Sequence, residues 1–504
     1  ILTLLFAFQQ FGTKVVGSSF GPIMIVWFSM LFASGAYYIL LMPSVLKAFN
    51  PVYAIKFLTG HPHGFWILGA VFLATTGAEA LYSDLGHCGR KNIRIAWIFV
   101  KTALLANYFG QGVWLLSREH KYLNDINPFY AVLPEWFLIP GIIIATAATI
   151  IASQALISGS FTLISEAVSL DFWPRVEIKF PTDIKGQLYI PSVNWILYAG
   201  CVATVLYFKE SSHMEAAYGF SITIAMLMTT LLMSYFLLYV KKFPLWAVVM
   251  ILLIFVTVET SFFIANLAKI KQRWMFLIFE FGIIFTMYTW FNARKMLNRF
   301  IKLVPIKDYI PTLMELSKDT GVAKFSTHLI YLSKAQNPQE IEERIIHSIL
   351  SRNPKRADMY WFIHINRTDE PYTLDYTVDE VVEGKVIHVN FDIGFRIQPR
   401  INIFFRRVIE DMVANKELDI ISRYDSLSKY KLPADFKFVI LDRFLSIENE
   451  LSHNDGFLLG SYFKLRKWAQ PDTKTFGLDT SDVIVEKIPL IITPAHHIKL
   501  TRKH

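Results

Sequence analysis

From Ile1 to about residue 293 the chain is a succession of apolar runs, each close to the length of a helix that crosses a bilayer. A hydrocarbon core of about 30 Å needs roughly 20 mostly apolar residues in helical form. Runs at 20–46, 64–88, 95–117, 132–165, 189–208, 216–240, 245–268 and 274–293 meet that need, and 1–12 is a further fragment. Backbone polar groups in lipid must bond to one another, so runs this long read as helices rather than barrel strands. The 53% hydrophobic and 18% charged residues exclude an ordinary soluble domain as the whole molecule.

The formal net charge of +9 does not point to nucleic acid. Its Lys and Arg residues fall mainly in short loops between the runs and in the tail, the distribution of a membrane protein facing anionic lipid. One set of alternate loops holds Lys14, Arg90, Lys91, Arg94, Arg175, Lys179, Lys185, Lys241 and Lys242, and Arg294, Lys295, Arg299 and Lys302 follow the last run. The other set is poorer in positive charge, which sets the carboxy-terminal tail on the cytoplasmic side. Cys88 and Cys201 are too few and too far apart for a metal site and read as reduced.

After residue 293 the pattern changes to that of a soluble domain. FSTHLIYLS, ADMYWFIHIN and GKVIHVNFDIGF alternate like strands, whereas PQEIEERIIHSIL and INIFFRRVIEDMVAN repeat like helices. The tail, 294–504, is thus expected to be an α/β domain beside a transport domain at 1–293. It carries no phosphate-binding glycine loop, zinc spacing or nucleophile elbow, so neither an enzyme nor a cofactor is indicated.

The chemistry concentrates in TTGAEALYSDLGHCG, residues 75–89. A glycine after two hydroxyl residues inside an apolar run invites a helix break, and a break frees carbonyls that can coordinate a dehydrated cation. Glu79 follows at once. An ionisable side chain in mid-span costs about 2.5–3.5 kcal/mol even on the lenient insertion scale, so it reads as part of a pathway, against the alternative of pairing with a neighbour. Asp84 and His87 lie nearer the cytoplasmic end, where a capping role competes with a pathway role. Asn107, Gln111 and Gln154 read as interhelical glue, and Glu259 and Glu280 as structural groups able to pair with Lys101.

The same stretch resembles the sixth-span signature of the Kup/HAK/KT potassium transporters. NYFGQG at 107–112, IASQALISGSF at 151–161, GQLYIPSVNWIL at 186–197 and SSHMEAAYG at 211–219 resemble later spans of that family in the same order. The resemblance starts at the end of the family's fourth span, so its first- and third-span motifs are expected upstream of Ile1, and 1–504 alone is expected not to transport.

The resemblance implies a mainly α, polytopic membrane protein of the broken-helix, inverted-repeat (LeuT-like, amino acid-polyamine-cation) type. Its activity would be proton-coupled potassium uptake at the plasma membrane, with potassium and protons as the ions moved. Thr76, and with it Thr75, would offer oxygen to potassium. Tyr218 of AAYG would line the same site, unless it is an ordinary packed aromatic. Glu79 would couple the proton, with Asp84 and His87 as later stops. The tail would serve a homodimer or regulation, and membrane lipid would be the remaining partner.

Overall fold

The computed structural model describes residues 1–11, 14–77, 89–118, 126–179, 188–267, 275–351, 353–368, 370, 372–394, 397–445 and 451–490. They form two compact units, Ile1–Glu166 with Ile178–Gly282, and Ala167–Glu177 with Ile283–His504.

Among the described residues the first unit is mainly helical, with an isolated antiparallel bridge between Lys179 and Tyr189. Its helices are α1 (Leu2–Phe8), α2 (Lys14–Leu41), α3 (Pro51–Gly60), α4 (Gly64–Thr75), α5 (Arg90–Leu116), α6 (Leu138–Ser169), α7 (Pro191–Phe208), α8 (Ser211–Tyr235) and α9 (Leu245–Leu267). Among the described residues five stretches, which include most or all of α2, α6, α7, α8 and α9, are long and apolar enough to cross a membrane. The short helix α3 lies between two expected spans. Asn50 caps it by accepting from the Val52 amide at 3.1 Å, Pro51 fixes its first turn, and all of its residues are exposed.

Small residues decide how α2 and α5 cross. A β-carbon on Gly35 would fall 2.2 Å from the Ala106 carbonyl oxygen, and one on Gly110 would fall 2.6 Å from Gly35 Cα. Lipid supplies no hydrophobic drive to helix association, so close backbone approach of this kind holds spans together. Polar side chains add to it. Asn107 reaches the Ser34 hydroxyl at 3.5 Å and accepts from Gln111 at 2.6 Å, while Gln154 of α6 exchanges amide hydrogen bonds with Gln9.

Helices α8 and α9 run antiparallel. Gly219 lies against Asn266, the Phe220 and Phe263 rings are 5.3 Å apart, and Thr230 donates to Glu259 at 2.7 Å.

The second unit is built on a six-stranded sheet in the order β5-β6-β4-β2-β7-β8. The strands are β2 (Lys324–Ser333), β4 (Arg356–Thr368), β5 (Leu374–Val382), β6 (Val386–Gly394), β7 (Phe436–Leu445) and β8 (Val483–Leu490), and β1 (Leu303–Pro305) pairs with β3 (Glu340–Glu342) apart from the sheet. All neighbours in the six are parallel except β5, which forms a hairpin with β6.

A parallel sheet is covered on both faces, and two cores do so here. Phe405, Val408 and Met412 of α10 (Ile401–Ala414) pack with Trp361 and Ile387 on one face. Ile345 and Ile349 of α11 (Glu343–Leu350) pack with Tyr331 and Tyr360 on the other. A third cluster joins Trp290, Ala293 and Leu297 of α12 (Met275–Arg299) to Leu459 and Tyr462 of α13 (His453–Arg466).

Ala167–Glu177 belongs to this unit although it lies more than a hundred residues earlier in the chain. Arg175 pairs with Asp472 at 3.3 Å and its carbonyl accepts from the Gln470 amide at 2.9 Å. Asp171 pairs with Arg294 at 3.2 Å, and the Phe172 ring stacks on Phe291 at 4.6 Å.

Candidate functional site

In the apolar run at 64–88 the described helix covers Gly64–Thr75, and residues 78–88 lie outside the described residues. α4 stops at Thr75, Thr76 is extended at φ −81° and ψ 173°, and Gly77 takes φ +110°. That last conformation strains any residue with a β-carbon, so glycine at 77 is what permits the chain to turn there.

The last carbonyls of a helix lose their partners in the following turn. Here two of them are taken locally. The Leu73 oxygen accepts from the Thr76 amide at 3.4 Å and from the Thr76 hydroxyl at 2.8 Å. The Ala74 oxygen accepts from the Tyr108 hydroxyl of α5 at 2.8 Å. A hydroxyl that has donated its one proton keeps two acceptor lone pairs, so the Thr76 oxygen remains a possible cation ligand.

Thr76 is half-buried, and Thr75 closes α4, its side chain lying outside the described residues. Glu79, Asp84 and His87 also lie outside the described residues. Tyr218 sits on α8 and is 47% exposed, beside Ala217 and Gly219, which are buried. The elements that carry Thr76 and Tyr218 meet at one turn of α9: the Phe72 ring is 5.1 Å from Phe262, and Phe220 packs on Phe263.

The same helix supplies two buried polar groups. Glu259 is 5% exposed; one carboxylate oxygen takes the Thr230 hydroxyl, and the other has no hydrogen-bond partner among the described residues. Lys101, the expected partner, lies over the Trp97 ring at 5.3 Å, so Thr230 takes that place beside Glu259. Asn266 is fully buried. Its amide nitrogen bonds to the Phe262 carbonyl, and its oxygen would be 2.7 Å from a β-carbon on Gly219.

Sequence reasoning passed over Tyr108, Thr230 and Asn266. A signal for the first was present, since a tyrosine between two amide side chains inside a span needs a partner for its hydroxyl.

Hydroxyl and carbonyl oxygens at a helix break can replace the weakly held shell of a large monovalent cation. No group of three or more His, Cys, Asp and Glu able to hold a metal occurs among the described residues.

Comparison with known proteins bears on this geometry over the whole chain. Residues 1–295 match the K+ potassium transporter integral membrane domain, and residues 326–492 match the K+ potassium transporter C-terminal domain. The chain is 51% identical over its whole length to 77% of a probable potassium transport system protein Kup of Cytophaga hutchinsonii. It is 50% identical to 78% of the like-named protein of Flavobacterium psychrophilum, and 41% identical to 76% of that of Clostridium perfringens. Both halves of the chain thus match one family of membrane transport proteins, and the chain belongs to the K+ potassium transporter family.

Proposed function

We propose that this protein takes up potassium across the cell membrane by alternating access, binding the ion where the sixth span breaks and coupling its entry to a proton. The observation that carries the reading is the end of α4 at Thr75, followed by extended Thr76 and left-handed Gly77, inside a run long enough to have continued as a helix. Non-helical backbone at that depth is tolerated where it lines a cavity or a path. Broken-helix, inverted-repeat carriers bind at such interruptions, and the arrangement here supports that architecture.

Thr76 supplies hydroxyl oxygen to the ion, and Thr75 and Tyr218 complete the oxygen set. Glu79, two residues past the positive-φ glycine, carries the coupled proton. Asp84 and His87 follow toward the cytoplasmic side as later stops. Residues 1–293 do the transport in lipid, and 294–504 form a cytoplasmic domain that acts in dimerisation or regulation.

The test uses a transport-competent form of the protein in vesicles. Glu79→Gln keeps size and hydrogen bonding but removes titration, so it should abolish potassium-dependent proton entry while potassium still binds. Lumen acidification at the wild-type rate would place the coupling group elsewhere. Thr76→Val and Tyr218→Phe should each raise the potassium concentration needed for half-maximal uptake, and no change in either would reduce both residues to packing.

A further inference from the structure

Among the described residues, the Tyr108 side chain bridges from α5 to a carbonyl at the end of α4. Its hydroxyl supplies the Ala74 oxygen with a hydrogen-bond donor at the helix terminus, where carbonyls otherwise face solvent or ligand.

The tyrosine is itself held by what lies on either side of it. Asn107 precedes it and bonds to Ser34, and Gly110 follows in the same half-turn, pressed against Gly35 with no room for a β-carbon. Gln111 in turn donates to Asn107. The α2–α5 crossing therefore fixes the height and rotation of α5 and, with them, the position of the phenol. A group held by a rigid, close-packed helix pair positions its partner more tightly than one on a loop.

We infer that Tyr108 is a positioning residue for the ion site: its hydroxyl occupies the Ala74 carbonyl and so sets which oxygens of the break are presented to potassium. This rests on the reading that the ion binds at Thr76. Discrimination among alkali cations depends on the number and field strength of the coordinating oxygens, so releasing one carbonyl changes both affinity and preference.

The experiment is Tyr108→Phe in a transport-competent form of the protein, which deletes the hydroxyl and keeps the ring. Rubidium and potassium uptake are measured over a range of concentrations and normalised to protein in the membrane. The expected result is a rise of about three- to tenfold in the apparent KM for potassium, the scale of one hydrogen bond, with a smaller change in maximal rate. The ratio of potassium to rubidium KM should also shift.

Wild-type KM and wild-type ratio would overturn the assignment. So would absence of the variant from the membrane, because the role given to the hydroxyl is local and not one of folding. Thr76→Val in the same assay separates the two claims. Unchanged KM in Thr76→Val means the ion-site reading has failed, whereas a raised KM there with wild-type behaviour in Tyr108→Phe means that the positioning role alone has failed.

Discussion

Gly35 and Gly110 meet where no β-carbon fits, and the obstacle on the Gly35 side is backbone, which cannot rotate away. Overpacking at such a contact costs about 1–3 kcal/mol or more, because the helices must separate. Gly35→Ala is therefore expected to lower the thermal unfolding temperature of the detergent-solubilised protein. Gly200→Ala on α7, where nothing lies within 4 Å of the added carbon, should leave it unchanged or slightly higher. Equal melting of the two variants would show that the crossing tolerates separation. The same residue-level view explains why only part of the site was legible beforehand. Thr76 and Gly77 announce a break in the chain itself, since a glycine directly after two hydroxyl residues inside an apolar run invites one. Tyr108 acts through a partner 34 positions away, and nothing in its local sequence names Ala74 as that partner.

Elements whose cores are built from nearby repeats were easiest to read. FSTHLIYLS, ADMYWFIHIN and GKVIHVNFDIGF fall on β2, β4 and β6; INIFFRRVIEDMVAN falls on α10, whereas PQEIEERIIHSIL is helical only from Glu343, as α11, its Glu340–Glu342 forming β3. These strands are buried on both faces, which makes their apolar content dense. β5 was missed because its LDYTVDEVV residues are mostly exposed at the sheet edge, and α3 because it has no buried face to give it a period. In the sequence, residues 167–177 lie between two apolar runs and are marked only by the positive charge of Arg175. Their partners lie in α12 and near residue 472, and the Arg175–Asp472 pair spans 297 positions, a separation at which periodicity carries no information. Asp472→Ala leaves Arg175 without that carboxylate and, because both side chains reach solvent, is expected to loosen the segment by about 1 kcal/mol. Limited proteolysis of the purified protein should then cut between residues 167 and 177 faster than in the wild type; an unchanged cutting rate would mean that Phe172 and Asp171 hold the segment unaided.

For the molecule as a whole, the clearest pH dependence comes from the sheet of the second unit. His328 is fully buried, stacked on Phe436 at 4.2 Å, and its Nδ1 accepts from the Trp361 indole at 3.2 Å. Burial, with Arg423 nearby, pushes its pKa from 6.5 down to about 4. The folded domain keeps the ring neutral across that window while an unfolded chain protonates it, so the unfolded state binds more protons and stability falls as the pH drops from about 6.5 to about 4. The loss is at most about 3 kcal/mol. His328→Gln removes the titration and should flatten the pH dependence of the melting temperature over that range; an unchanged slope would assign the acid sensitivity to other groups. The position of Ala167–Glu177 inside this unit also has a consequence for how the protein is made. Asp472 and Gln470 leave the ribosome nearly 300 residues after Arg175, which at roughly 5–20 residues per second is a delay of tens of seconds. During that interval the segment has been synthesised but the strands and helices that receive it have not. The second unit can therefore close its structure only after residue 472 has emerged, and a ribosome stalled before that point would leave Arg175 open to chaperones and proteases.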